Sequence, residues 1–266
     1  MQITKAIVLR TIRYSDSCLV VSLYTEYYGM VSGMVRISRG AKGRTNGALW
    51  QLLNVLEIAV NYSADAEMQK LGECSISVPW RDLPYNPVKA SVAMFLSDML
   101  YHALRGEGEN RELFSFLENS LCWFDETTEG VSYFHLLLMI RMTRFLGIMP
   151  GTEGAERGMM YDLKNACYCH LIPEHGQYVE PKEAELIPVL LDMDYSNMHL
   201  LALSNKERRH MLDILLQYYR IHVPALVSCR AWMFCANCFR SLFACFVFPT
   251  VEVFLGATTG GSGINM

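Results

Sequence analysis

The residues best suited to chemistry in this chain are cations gathered near its amino terminus. The stretch Arg36-Ile-Ser-Arg-Gly-Ala-Lys-Gly-Arg44 spaces four of them through small, flexible residues. A loop of that kind can follow a phosphate backbone and release its counterions. Residues 1–50 carry Lys5, Arg10, Arg13, Arg36, Arg39, Lys42 and Arg44 against Asp16 and Glu26, a balance of +5, whereas residues 51–80 come to −3. The whole chain is acidic, with net charge −4 and pI near 6.0. Positive charge is therefore segregated into one small region, and local patches steer a polyanion more than net charge does. Tyr14, Tyr24, Tyr27, Tyr28 and Trp50 offer stacking surfaces for unpaired bases. The competing reading is an ordinary solvated basic face with most of the tyrosines in the core.

Other chemistry is weaker. Cys167-Tyr-Cys169-His170 and His175 supply four potential zinc ligands. A closed zinc site usually pairs its ligands as Cys-x₂₋₄-Cys; here the pair has one intervening residue and no second pair follows nearby. A surface hairpin with incidental thiols is the better reading. There is no Gly-x-Ser-x-Gly, no Gly-Lys-Ser/Thr phosphate loop and no His-Glu-x-x-His. His135, Arg141 and Arg144 sit in a helical apolar pattern, so His135 reads as a satisfied helix histidine. The sequence points away from an enzyme, and no cofactor or metal is expected.

The cations fall in a region patterned as β-structure. Ala6–Leu9, Cys18–Tyr24, Met30–Ile37 and Val55–Tyr62 are short runs rich in Val, Ile and Tyr, separated by a turn at Tyr28-Gly29 and a Gly-rich loop from Arg39 to Gly47. A fifth run, Gln69–Val78, is placed to close the sheet. Five strands in about 80 residues suit a small closed barrel of OB type. Pro84-Tyr-Asn-Pro87 breaks the pattern, after which apolar residues recur at helical spacing. Helices are expected from Asn86 as cap with Pro87 at the first position, from about Arg111 to Phe124, Val131 to Leu146 and Lys206 to Ile221. Gly147–Pro188 is Gly- and Pro-rich and aperiodic. The fold class is thus α+β, an N-terminal five-stranded OB-fold barrel (1–80) followed by an α-helical domain (84–224) with an irregular segment at 147–188. The N-terminus is not a signal peptide, and no apolar run is long enough to span a bilayer. The nine cysteines then read as reduced thiols of a cytosolic protein.

This arrangement resembles the RecO family as found in Bacteroidetes. The resemblance is carried by Lys5-Ala-Ile-Val-Leu-Arg-Thr-Ile-Arg-Tyr-Ser-Asp16, Tyr24-Thr-Glu-Tyr-Tyr-Gly29, Leu83-Pro-Tyr-Asn-Pro-Val-Lys89, Phe114-Ser-Phe-Leu-Glu-Asn-Ser-Leu121, Arg144-Phe-Leu-Gly147 and Leu216-Gln-Tyr-Tyr-Arg-Ile-His222. It implies a non-enzymatic mediator of DNA repair and homologous recombination, cytoplasmic and nucleoid-associated. Such a mediator binds and anneals single-stranded DNA. With RecR it helps load RecA onto strands coated by single-strand DNA-binding protein, whose acidic C-terminal tail it contacts. DNA would lie on the barrel, so Arg10, Arg13, Arg36, Arg39 and Lys42, with Arg44 beside them, are the expected contacts. Many relatives carry a four-cysteine zinc module after Gly147; this sequence lacks that spacing, and the metal is not carried over. The alternative function is a scaffold whose barrel binds acidic protein tails, with DNA contact incidental.

From Ala225 onward the composition changes abruptly, with four cysteines, frequent phenylalanine and three charged residues. Cys235-Ala-Asn-Cys238 is half a zinc site at most, and 231–255 is interrupted as a membrane anchor by Arg240 and Glu252. Read one base earlier, the codons of Ala231 to Phe239 force an Asp-Val-Leu string and a further Leu. That resembles the amphipathic ending of RecO relatives. Residues 225–266 are accordingly expected to be an aberrant, poorly ordered tail, out of frame from about residue 226.

Overall fold

The computed structural model describes residues 1–37 and 47–227. The tail from residue 228 and the basic loop at 38–46 lie outside the described residues. Five antiparallel strands open the chain: β1 (Gln2–Ser15), β2 (Cys18–Thr25), β3 (Gly29–Arg36), β4 (Val55–Asn61) and β5 (Lys70–Val78), in the order β3-β2-β1-β4-β5. β1 is far longer than its apolar centre implied. Its first half pairs with β4, and its pairing with β2 runs on to the far end, so one strand serves both halves of the sheet. The ladder does not close fully. Among the described residues, the edges are joined by one backbone bridge, Gly33 to Gln69, whose amide donates to the Ser32 carbonyl at 2.7 Å. The expected closed barrel is therefore a rolled sheet with a seam. Ala6, Val8, Val21, Leu23, Val31, Leu56, Ile58 and the plug residue Trp50 fill its interior.

Gly29 begins β3 at φ +64°, and a Cβ there would stand 2.4 Å from the carbonyl oxygens of Glu107 and Gly108. Only glycine lets the hairpin lie against the helical body this closely.

Three helices follow: α1 (Pro87–Ala103), α2 (Arg111–Glu126) and α3 (Phe134–Phe145). Asn86 caps α1, accepting from the amides of Val88 and Lys89 with Pro87 in the first turn. The segment 147–188 contains the expected hairpin but is more regular and more deeply anchored than its composition implied. It forms a three-stranded ribbon of β6 (Met160–Asp162), β7 (Cys167–Cys169) and β8 (Tyr178–Val179), ordered β7-β6-β8, then short helices α4 (Pro181–Ala184) and α5 (Leu186–Asp192). Tyr161, Leu163 and Val179 anchor the ribbon in the core. Strands of two or three residues leave no readable period, which is why composition misled. α6 (Asn205–His222) starts with a reciprocal capping box between Ser204 and Glu207, and α7 (Pro224–Val227) ends the described chain.

One core spans both halves. Ile7, Leu9, Tyr24, Leu53 and Val55 of the sheet pack in the same cluster as Phe95, Leu96, Phe114, Leu117 and Leu138 of the helices. The linker between them is pinned by Asp125 near the end of α2. Its carboxylate accepts from the amides of Arg81, Asp82 and Leu83 at 2.8, 2.9 and 2.7 Å. Lys89, 1% exposed, donates to the Asp125 carbonyl at 2.8 Å and pairs with Asp82 at 2.8 Å. That pairing holds the Asp82 carboxyl below the usual carboxylate range. A buried ammonium is tolerated only when paired and hydrogen-bonded in this way.

Candidate nucleic-acid interface

The register of β1, β2 and β3 decides which side chains share a face, because residues directly opposite in an antiparallel sheet point the same way. Ile7, Tyr24 and Met30 lie on the outer face and dock on the helical body. Beyond them the outer face emerges into solvent. Arg10, Ser22 and Ser32 form one row; Ile12, Val20 and Met34 form the next; Ser15, Cys18 and Arg36 form the last. Ser22 and Ser32 hydrogen-bond across the strands at 3.1 Å. Ile12 and Met34 are 47% and 45% exposed, and Tyr14, at the strand's end, is 71% exposed.

No acidic side chain stands in these three rows. The apolar row of Ile12, Val20 and Met34 lies between a row that carries Arg10 on β1 and a row that carries Arg36 on β3, these outer rows standing about 13 Å apart along the strands from the strand rise. Such a surface can hold phosphates at its ends and present an apolar platform between them. The adjoining half of the sheet differs in charge. There Lys5 faces Glu57 across the β1–β4 ladder and is bonded to Glu118 of α2 at 2.7 Å, which raises its pKa.

The expected contacts distribute unevenly over this geometry. Arg10 and Arg36 share the open face. Arg10 is half-buried, with its guanidinium 4.8 Å from the centre of the Tyr101 ring of α1, so it lies on the seam between sheet and helices. Arg13 falls on the opposite face, in register with Leu19, and pairs with Asp16 at 3.3 Å. Arg39, Lys42 and Arg44 lie outside the described residues; Arg36 is the last cation before them. Of the expected stacking aromatics, Tyr24 and Trp50 are core. Tyr27 lies beneath Arg111 at 4.7 Å, and Tyr28 stacks on Tyr62 at 4.6 Å. Tyr14 alone among the five is largely exposed. The apolar strip of Ile12 and Met34 is a feature that sequence reasoning missed, although the alternation Arg10-x-Ile12-x-Tyr14 carries it.

The ribbon thiols do not gather into a metal cage. Among the described residues, no three His, Cys, Asp or Glu side chains converge as metal ligands. No described helix is long and apolar enough to cross a membrane.

Comparison with known proteins agrees with this architecture. Residues 1–79 match the family profile "Recombination protein O N terminal", an OB-fold domain, and residues 84–227 match "Recombination protein O C terminal". The chain is 40% identical to the DNA repair protein RecO of Phocaeicola vulgatus, over 84% of this chain and 93% of the relative. It is 35% identical to that of Bacteroides fragilis, with the same coverage, and 30% identical to that of Flavobacterium psychrophilum, again over 84% and 93%. With both halves matched in order, the chain belongs to the RecO family of DNA repair proteins.

Proposed function

We propose that this chain is a non-enzymatic recombination mediator that binds and anneals single-stranded DNA on the open face of β1–β3. With RecR it would help load RecA onto strands coated by single-strand DNA-binding protein, in the cytoplasm and at the nucleoid. The observation that carries the reading is the acid-free face with Arg10 and Arg36 at its ends and exposed Ile12, Met34 and Tyr14 between or beside them. Arg39, Lys42 and Arg44, next along the chain, would extend the phosphate track. The test is annealing of complementary strands across a salt series by wild-type protein and by the double variant Arg10→Glu/Arg36→Glu. Removing one phosphate interaction lowers the slope of log affinity against log salt by about 0.7. Salt-independent binding, or an unchanged slope in the variant, would overturn the proposal.

The apolar strip also favours a second reading, in which the same face binds an acidic, apolar protein tail. A peptide ending in acidic and aromatic residues separates the two. Under the second reading the double variant loses the peptide and keeps annealing.

The frame slip near residue 226 is a separate proposal. The family match stops at residue 227 while the chain continues to 266. A nucleotide sequence whose shifted frame lacks the Asp-Val-Leu string removes it.

A further inference from the structure

The ribbon β6–β8 is built around one carboxylate. Asp162 is 4% exposed. Its Oδ1 accepts from the backbone amides of Lys164 and Asn165 at 2.9 and 3.0 Å. Its Oδ2 accepts from the Asn165 side-chain amide at 2.7 Å and faces His175 Nε2 at 3.2 Å. The Gln177 amide donates to His175 Nδ1 at 3.1 Å, which places the ring hydrogen on Nε2, pointing at Asp162. Four donors, from the turn after β6 and from the hairpin before β8, thus converge on one side chain. Asp162 and Asn165 stand three apart on a tight turn that reaches left-handed backbone at Ala166, φ +53°. That is the spacing at which a zinc knuckle places its first two thiolates.

For many relatives the resemblance implies a four-cysteine zinc module in this region. The donor set here does not fit one. Asp162, Asn165 and His175 already satisfy one another through hydrogen bonds. Cys167 is cross-strand from Asp162 but exposed. Asp162 itself stays in its charged form, because the hydrogen bonds from Asn165, His175 and Lys164 outweigh the penalty of its burial.

We infer that the Asp162 carboxylate does with hydrogen bonds what a metal ion does in a zinc ribbon: it ties both turns of the ribbon together and needs no zinc. Its neighbours carry that order inward. Tyr161 and Leu163 on either side of it are core residues, and the Leu163 carbonyl meets His222 Nε2 of α6 at 2.7 Å. The Tyr168 hydroxyl donates to the Ala184 carbonyl at 2.9 Å. The hub therefore locks the ribbon onto the helices that follow it.

The experiment uses the full chain. Elemental analysis of purified protein gives its zinc content, and thermal unfolding is followed with and without EDTA. Amide hydrogen exchange across 160–179 is then compared among wild type, Asp162→Ala, Asn165→Ala, His175→Gln and Cys167→Ser/Cys169→Ser. Expected are substoichiometric zinc, a Tm indifferent to EDTA and a silent double-serine variant. Asn165→Ala and His175→Gln should each raise exchange in the ribbon by about tenfold, the equivalent of one missing hydrogen bond. These milder variants keep the test alive if Asp162→Ala does not fold. Stoichiometric zinc whose removal lowers Tm, a destabilised double-serine variant, or unchanged exchange in both Asn165→Ala and His175→Gln would each overturn the inference.

Discussion

Arg36 and Lys89 are both cations of a mainly acidic chain, and the structure uses them in opposite ways. Arg36 ends an open strand with its charge exposed to water beside Met34 and Cys18. Lys89 is 1% exposed, bonded to Asp82 and to the Asp125 carbonyl, and its nitrogen lies 5.8 Å from the centre of the Phe124 ring. The open face leaves charge ready for a partner outside the molecule, whereas the linker hub consumes it internally. Counting charges along a sequence does not separate these cases; what separates them is whether the fold brings acceptors within about 3 Å.

The contrast is tested most severely at the hub. Asp125→Ala leaves the buried Leu83 amide and the part-buried amides of Arg81 and Asp82 without their acceptor; the first costs about 1–3 kcal/mol and the other two less, because water can reach them. A loss of about 2–3 kcal/mol lowers Tm by roughly 4–12 °C for a chain of this size. Calorimetry checks this, and a change within a degree or two would mean the linker is not held there. On the open face, Arg10→Glu/Arg36→Glu is expected to lower Tm by only a few degrees, through loss of the Arg10 contact with the Tyr101 ring. It should weaken single-strand binding by roughly 10- to 100-fold at low salt, because two attractions to phosphate become repulsions.

Between these extremes lies Lys89→Met. It removes the buried ammonium's bond to the Asp125 carbonyl, for a loss of about 1–3 kcal/mol, and frees half-exposed Asp82 to water. Acid unfolding gives a second readout of the same variant. The folded pKa of Asp82 is depressed, so the stability it contributes is present above the ordinary carboxylate range and is lost as pH falls through the folded value. An acid unfolding series should show the wild-type advantage over Lys89→Met narrowing below about pH 4, with no change between about pH 6 and 8. The smallest effect is expected from Arg13→Glu, on the far face and already paired with exposed Asp16. Surface pairs of this kind contribute about 0–1 kcal/mol, and annealing should hold within about twofold. A large annealing defect in Arg13→Glu would count against the proposed DNA path and favour the other face.

Much of the fold was legible because its signals are local. Asn86 and Pro87 mark the start of α1, and Ser204 with Glu207 marks the start of α6. The candidate interface was legible only in part. The register shift between Val8 and Arg10 changes which later β1 residues face outward, and no local pattern announces such a bulge. Arg13 groups with Arg10 in the sequence, although the fold separates them. Tyr24 and Trp50 look like stacking aromatics until sheet and helices enclose them. The ribbon hub stayed hidden for a related reason. Asp162, Asn165 and His175 are unexceptional in sequence, and only the turn at Ala166 and the hairpin to β8 bring them within reach.

The continuous packing from Ile7, Leu9 and Tyr24 into α1 and α2 has a practical outcome for dissecting this protein. Severing the chain at Pro79 would strip the amino-terminal fragment of the neighbours that cover those side chains, leaving it sticky and prone to self-association. Loss of activity in such a fragment would then report damaged folding and not a missing partner. Point substitutions on intact protein are the cleaner instrument for assigning roles to either half.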